Sequence, residues 1–354
     1  MKIGIIGFGI RGIKMAKLIN CHFPSEEIVA ICDNRQKALK EAGNLVPSAI
    51  LYSDFEAMLR VSEMEALLVE TPAPMHGEFS IRAIEKGIHV LCDVPAVNDI
   101  QEAQRLWQAA GKTKRIFMLQ STTNFFGYVQ KLEELYKRGK LGKPYCIESE
   151  YIHDLTELFG ETPWREGYES IRYCTHSLGP VMKILKEPFR EVVGFDTGSH
   201  VYNDPVHHDA MTAIFRTSSG VVMKLLVSFI NHCPVHGHRF RVFGTKGYFE
   251  RTMDYSGENS GKTYWYSTDN SAEKQFLDLE VGEAMPENQG RLDIGNHGGA
   301  NFELLKSFFH AIYIGGPSPV GIKEALEMTL PGIYAAESAC KNNAKLTIKY
   351  PWEI

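Results

Sequence analysis

The chain has 354 residues, 44% of them apolar and 23% charged, which suits a globular protein and exceeds one ordinary core, so two domains are expected. A net charge of -5 without a basic block argues against nucleic acid or an anionic membrane as partner, and no run approaches the ~20 apolar residues of a membrane helix. Met1-Lys2-Ile3 leads straight into an apolar strand, so no signal peptide is expected. The seven cysteines form no Cys-x-x-Cys pair, so a reducing, cytoplasmic setting is expected.

In chain order, residues 2–7 form a short apolar run, 10–20 a helical pattern, 27–33 a second apolar run and 35–45 a second helix. Strand-like runs at 66–70, 89–93 and 116–120 alternate with helical patterns at 76–86 and 100–110. Continuously apolar strands are those covered on both faces, so residues 1–121 are predicted to form a doubly wound parallel sheet, an α/β Rossmann domain. The pattern then changes. A helix at 125–138 precedes a strand at 143–152, a helix within 173–186, strands at 192–195, 210–216 and 221–230, and a hairpin of 238–243 with 248–250. Residues 122–354 are therefore predicted to form an α+β domain with a mostly antiparallel open sheet. Residues 252–299 read as a long polar connection, functional or mobile, before helices at 301–314 and 322–341.

Gly7-Phe8-Gly9-Ile10-Arg11-Gly12 fits G-x-G-x-x-G, and it follows a strand and opens a helix. Gly7 permits the turn, Gly9 lets the backbone approach a pyrophosphate, and Gly12 lets helix and strand pack closely. The free N–H groups and dipole of the helix face the phosphates. Asp33 closes the second strand about 20 residues on, where an acid binds the ribose hydroxyls. A carboxylate there repels a 2′-phosphate and favours NAD over NADP, whereas Arg35, just beyond it, can grip one. A non-binding Rossmann-like domain with a structural glycine turn is the alternative.

The chain resembles the glucose–fructose oxidoreductase/inositol dehydrogenase (Gfo/Idh/MocA) family over nearly its whole length. The marks are the glycine motif, Thr71-Pro72 with His76, and the segment from Gly87 to Pro95. Later come Trp164-Arg165, Thr175-His176, Gly244-Thr245-Lys246-Gly247 and the final helical pair. Typical members carry Glu-Lys-Pro where this chain has Asp93-Val94-Pro95, and Val94 cannot relay a proton as that lysine does. The branch of NAD-dependent glycosidases, including α-N-acetylgalactosaminidases, also lacks the lysine. It is similar at Val94-Pro95-Ala96, Tyr151-Ile152-His153-Asp154, Tyr173-Cys174-Thr175-His176-Ser177-Leu178-Gly179-Pro180 and His297-Gly298-Gly299. The resemblance implies an NAD(P)-dependent enzyme acting on a sugar-like small molecule, as a homodimer or homotetramer. It further implies a cofactor bound by the motif residues, Asp33, Asn34, Arg35, Thr71, Pro72, His76, Asp93, Val94, Pro95, Gln120 and Trp164. Hydride would pass between NAD and a hydroxyl-bearing ring carbon, either recycled within a glycosidase-like oxidation, elimination and addition or released in a net sugar or cyclitol dehydrogenation. A non-catalytic NAD-binding sensor is the third reading.

Pro180 is expected only in a helix's first turn, which puts the helix start near residues 175–177 and His176 beside it. The dipole there disfavours imidazolium and suits His176 to accept a hydroxyl proton; helix capping or packing is the alternative. Tyr173 can pass a proton or hold a substrate oxygen, or simply anchor the helix. His153 and Asp154 end a strand and point to opposite faces, so at most one reaches a cleft. Arg165 can hold a substrate or cofactor oxygen, or pack at the surface. His232, Cys233, His236 and His238 invite a metal, but match no zinc spacing, and no metal site is assigned there or at His207-His208-Asp209.

Overall fold

The computed structural model describes residues 1–234, 236–253, 261–269, 277–279 and 299–353. Two compact units emerge: Met1–Ser121 with the described part of Arg291–Leu326, and the described part of Thr122–Gly290 with Glu327–Ile354. Among the described residues no helix is long and apolar enough to cross a membrane.

The first unit holds strands β1 (Lys2–Ile6), β2 (Glu27–Cys32), β3 (Ile50–Tyr52), β4 (Ala66–Val69), β5 (His89–Cys92) and β6 (Phe117–Leu119). All pair in parallel, in the order β3-β2-β1-β4-β5-β6. Helices α1 (Ile10–His22), α2 (Gln36–Leu45), α3 (Phe55–Val61), α4 (His76–Glu85) and α5 (Ile100–Gly111) provide the crossovers. Ile3, Ile5, Leu67, Leu68, Val90, Leu91 and Met118 are wholly buried, as their unbroken apolar runs require. The sequence reading passed over β3 and α3, whose start is marked by Asp54 accepting the Ala57 N–H at 2.8 Å.

The second unit is built on a nine-stranded sheet. Its strands are β7 (Pro144–Ile152), β8 (Phe189–Asp196), β9 (Ala210–Thr217), β10 (Val222–Ser228), β11 (Gly237–Gly244), β12 (Gly247–Arg251), β13 (Thr263–Ser267), β14 (Leu277–Leu279) and β15 (Leu346–Thr347). The order is β14-β13-β12-β11-β7-β10-β9-β8-β15, antiparallel except where β7 lies beside β10. One face is covered. Ile147, Phe240, Val242, Met223, Leu225 and Phe249 on it are buried at alternate positions. Two helices, α6 (Gly127–Lys137) and α7 (Thr175–Met182), belong to this unit. α7 is tied to the covered face by a hydrogen bond from Ser149 Oγ to Ser177 Oγ at 2.9 Å.

Three expectations change. The stretch 252–299 is not all connection: Thr263-Tyr264-Trp265-Tyr266-Ser267 alternates buried and part-exposed side chains as strand β13. Helix α8 (Ala300–Ile314), expected in the second domain, belongs to the first unit. Phe302 stacks on Phe23 with centroids 5.2 Å apart and Phe309 meets the same ring edge-on at 5.1 Å, which docks α8 at the end of α1. Pro180 lies inside α7 rather than in its first turn, and a 3-10 turn at Ser170–Tyr173 leads into the helix. Pro180 has no N–H to donate to the carbonyl four residues back, that of His176.

The last helix, α9 (Ile322–Cys340), seats the second unit's sheet and its 3-10 turn. A Cβ on Gly332 would lie 2.7 Å from the Ile171 carbonyl oxygen, and one on Gly194 of β8 would lie 2.1 Å from the Ala335 carbonyl oxygen. Gly194 donates its N–H to Ser338 Oγ at 2.9 Å, so the contact is backbone to backbone with no slack. Gly194→Ala is expected to lower stability by about 1–3 kcal/mol, the usual cost of overpacking, seen as a lower midpoint in thermal and urea unfolding.

Candidate functional site

In the first unit, the chain turns from β1 into α1 at the glycine motif. Gly7 has φ 87°, and a Cβ there would lie 2.5 Å from the Glu70 carbonyl oxygen. A Cβ on Gly12 would lie 2.1 Å from the Gly7 carbonyl oxygen. A Cβ on Gly9 would meet nothing nearer than Arg35 Nη2 at 3.5 Å, so the loop is tight inside and open outside. No acid stands in the first turn of α1 and no side chain caps it among the described residues. Its N–H groups thus remain for an anion, and the loop fits a dinucleotide's pyrophosphate. The Phe8 side chain is buried, so only its backbone can serve there, whereas Ile10 is exposed.

Asp33, just past β2, accepts the N–H groups of Phe8 at 2.8 Å and Arg35 at 2.9 Å. The Arg35 guanidinium forks onto both its oxygens at 3.0 and 2.9 Å. Burial alone would raise this carboxyl, but the Arg35 side chain and the two N–H donors outweigh it and hold it below the usual carboxylate range. Arg35, expected as a phosphate grip, is folded onto the acid. Asn34 between them is exposed.

The ends of β4, β5 and β6 carry the remaining expected cofactor residues of this unit. Thr71 and Pro72 are half-buried. His76 is buried, its ring lying between the Thr71 carbonyl at 2.8 Å and the Pro95 carbonyl at 2.7 Å, so it clamps two loops. Val94 is buried before a cis Val94–Pro95 bond, and Asp93 accepts the Val94 N–H at 2.9 Å. Gln120 is buried, accepting from Arg11 Nη2 at 2.9 Å and donating to Glu70 Oε1 at 2.5 Å. Glu70 was not singled out in the sequence; its only signal is an acid ending the apolar run Ala-Leu-Leu-Val.

In the second unit a cluster of rings forms on the covered face of the sheet. Tyr151 of β7 packs against His176 of α7 at 5.0 Å and His238 of β11 at 4.5 Å, and the two imidazoles lie 5.8 Å from each other, so the three near-parallel rings form a triangle. The Tyr173 and His176 rings lie 4.8 Å apart. His153 Nδ1 is 3.0 Å from the Tyr151 hydroxyl, and its ring is 4.4 Å from that of His236. Arg165 lies 5.7 Å over Tyr173 and 4.3 Å over Trp164. Among the described residues its Nε is buried without a hydrogen-bond partner, which leaves a donor for a ligand oxygen. His176, Tyr173, His153 and Arg165 thus come together. Asp154 follows His153 and closes a turn, its Oδ1 accepting Thr156 N–H and Oγ1 at 3.1 and 2.8 Å. Trp164, expected with the cofactor residues, stands in this unit on Arg165. Tyr151, His236 and His238 were missed as site residues, because the register His238↔Tyr151 and the contact of His236 with His153 join residues far apart in the chain.

Among the described residues no group of three or more His, Cys, Asp or Glu side chains is placed to hold a metal ion. His207 faces Glu166 at 3.6 Å, His208 Nδ1 is 2.6 Å from Asp196, and Asp209 holds the N–H groups of His200 and Val201. His297 and Gly298 lie outside the described residues, and Gly299, at φ 88°, precedes α8.

Comparison with known proteins agrees with this geometry. Residues 1–121 match the model of an oxidoreductase family with an NAD-binding Rossmann fold, and residues 129–250 match the GFO/IDH/MocA C-terminal domain. A glycosyl hydrolase family 109 protein of Saccharopolyspora erythraea is 25% identical, over 97% of this chain and 82% of its own. An alpha-N-acetylgalactosaminidase of Shewanella oneidensis is 22% identical, over 99% of this chain and 84% of its own. The crystal structure of an Agrobacterium radiobacter oxidoreductase in complex with NAD+, L-tartaric acid and magnesium superposes with a TM-score of 0.82 at 15% identity, over 98% of each chain. With both domain models matched, the chain belongs to the GFO/IDH/MocA oxidoreductase family and carries that family's NAD-binding Rossmann domain.

Proposed function

We propose that this enzyme transforms a glycoside of a sugar-like substrate through NAD that is reduced and reoxidised within one turnover. The supporting observation is the ring cluster. Tyr173, His176, Tyr151, His153 and His238 bring several proton-handling groups together, while Val94 stands buried where typical family members place a lysine. NAD bound at Gly7–Gly12 and Asp33 supplies the acceptor and later the donor of a hydride. His176 takes the proton of the substrate hydroxyl as the carbon beneath it is oxidised to a ketone. The ketone acidifies the neighbouring C–H, a base of the cluster removes that proton, and the glycosidic leaving group departs. Arg165 holds a ring oxygen through its buried Nε. Water then adds, and reduction of the ketone with proton return from His176 restores the alcohol. The relatives named for glycoside hydrolysis favour this reading over a net dehydrogenase.

Two further parts of the reading are proposals. The open face of the nine-stranded sheet exposes Phe195, Ile214 and Val222 beside the ion pairs Arg241–Glu148 and Arg239–Glu250, which suits self-association into a homo-oligomer. All seven cysteines are free, which suits the reducing cytoplasm.

His176→Ala is expected to cut release of aryl alcohol from aryl glycosides by roughly 10²–10⁴-fold while leaving NAD affinity unchanged. Absorbance assays read product and NADH together. Release without accumulating NADH supports recycling, and NADH accumulation without cleavage contradicts it. Asp33→Asn is expected to weaken NAD binding roughly tenfold and to narrow the preference over NADP, as measured by fluorescence titration of both nucleotides. Because Asp33 is held below the usual range, it stays ionised through mildly acidic pH, and the preference persists there.

A further inference from the structure

Beneath the glycine loop lies a carboxyl that the proposed reaction does not use. Glu70 follows β4, and its side chain is wholly shielded from solvent. Its Oε1 accepts from Gln120, and among the described residues its Oε2 is buried with no hydrogen-bond partner. Arg11 Nε is 3.7 Å from that oxygen and 4.0 Å from Asp93 Oδ1. The other guanidinium nitrogens are held by Asn301 Oδ1 and Gln120 Oε1, each at 2.9 Å. One guanidinium therefore faces two carboxyls, and the Asp93 side chain, 20% exposed, is the one that water reaches. The other titratable group nearby is the buried Cys92 thiol, pushed well up by burial and so neutral. Gln120 and Asn301 carry no charge.

Burial, reinforced by Asp93 and opposed by Arg11 and Gln120, pushes the Glu70 carboxyl up to about 8. Its backbone oxygen lies where a Cβ on Gly7 would sit, and its Cβ is 3.7 Å from where a Cβ on Gly12 would sit. Glu70 thus underlies both ends of the glycine motif through its backbone and Cβ, and Arg11 belongs to that motif.

We propose that Glu70 is a proton-linked positioning residue: the loop binds NAD(H) with Glu70 protonated, and loss of that proton weakens binding. This rests on the cofactor-binding reading of the loop. The dinucleotide is anionic, so its arrival makes an ionised Glu70 costlier and raises the carboxyl further. Affinity is therefore full at low pH, falls as pH rises through the free protein's transition, and levels off above that of the complex. A proton is taken up on binding in between. An ionised Glu70 would also draw Arg11 from Gln120 and Asn301 and loosen the loop from below.

The test is calorimetric titration of the nucleotide-stripped full chain with NAD+ and with NADH from about pH 6 to about pH 9.5, in buffers of differing ionisation enthalpy. A displacement of about one pKa unit gives a roughly tenfold fall in affinity with net proton uptake. NADH, with one more negative charge, should show the larger fall. Glu70→Gln should flatten the profile at the low-pH affinity. Asp93→Asn should move the transition to lower pH by removing a repelling charge. A flat profile without proton uptake in the folded wild type overturns the proposal, as does an unaltered profile in Glu70→Gln. Should Glu70→Gln not fold, an unmoved transition in Asp93→Asn overturns it. Failure to bind either nucleotide at any pH overturns the cofactor reading of the loop itself.

Discussion

The first unit is organised by a backbone closure at the end of β1. The first turn of α1 rests against the Gly7 carbonyl, and Gly7 rests against the end of β4, with room for no side chain at Gly7 or Gly12. That closure brings the open N-terminus of a helix next to the C-terminal ends of the central strands, the place where doubly wound sheets bind ligands. It also fixes what lies underneath. Glu70 and Gln120 are buried polar groups in a sheet core, tied together by the bond Gln120 donates to Glu70 and joined to Arg11 by the bond Gln120 accepts from it. Asp33 is fixed in the same way from β2, by Phe8 of the loop.

The second unit solves a different problem. Several imidazoles and phenols must stand close together without a charge among them being stranded. Strand register does this: β7 and β11 pair Tyr151 with His238, and residues two apart on one strand share a face. α7 brings His176 over the same face, held by the Ser149–Ser177 bond, and the turn before it delivers Tyr173.

Parts of this were legible in the sequence because they are local. The glycine motif, Asp33 and the Tyr-x-Thr-His segment announce themselves within a few residues, and apolar periodicity marks most strands and helices. What was not legible depends on pairing across distance. His236 and His238 read as an uncertain metal motif until register placed them beside His153 and Tyr151. Asp154 reads as a candidate site acid, and the turn that its Oδ1 closes through Thr156 is not announced in the sequence. His76 and Gln120 read as cofactor contacts, and their buried polar atoms are engaged in clamping the loops beneath. Helix α8 joined the first unit because aromatic contacts with Phe23, not its place in the chain, decide where it packs.

Oxidation followed by elimination must break a C–H bond beside the transient ketone, which neither net dehydrogenation nor acid-catalysed hydrolysis requires. The most direct measurement is therefore turnover of an aryl glycoside in deuterated water, with the sugar product analysed by proton NMR and mass spectrometry. One deuterium on the ring carbon next to the oxidised centre is predicted; product with all its carbon-bound hydrogens retained would contradict the recycled-NAD mechanism.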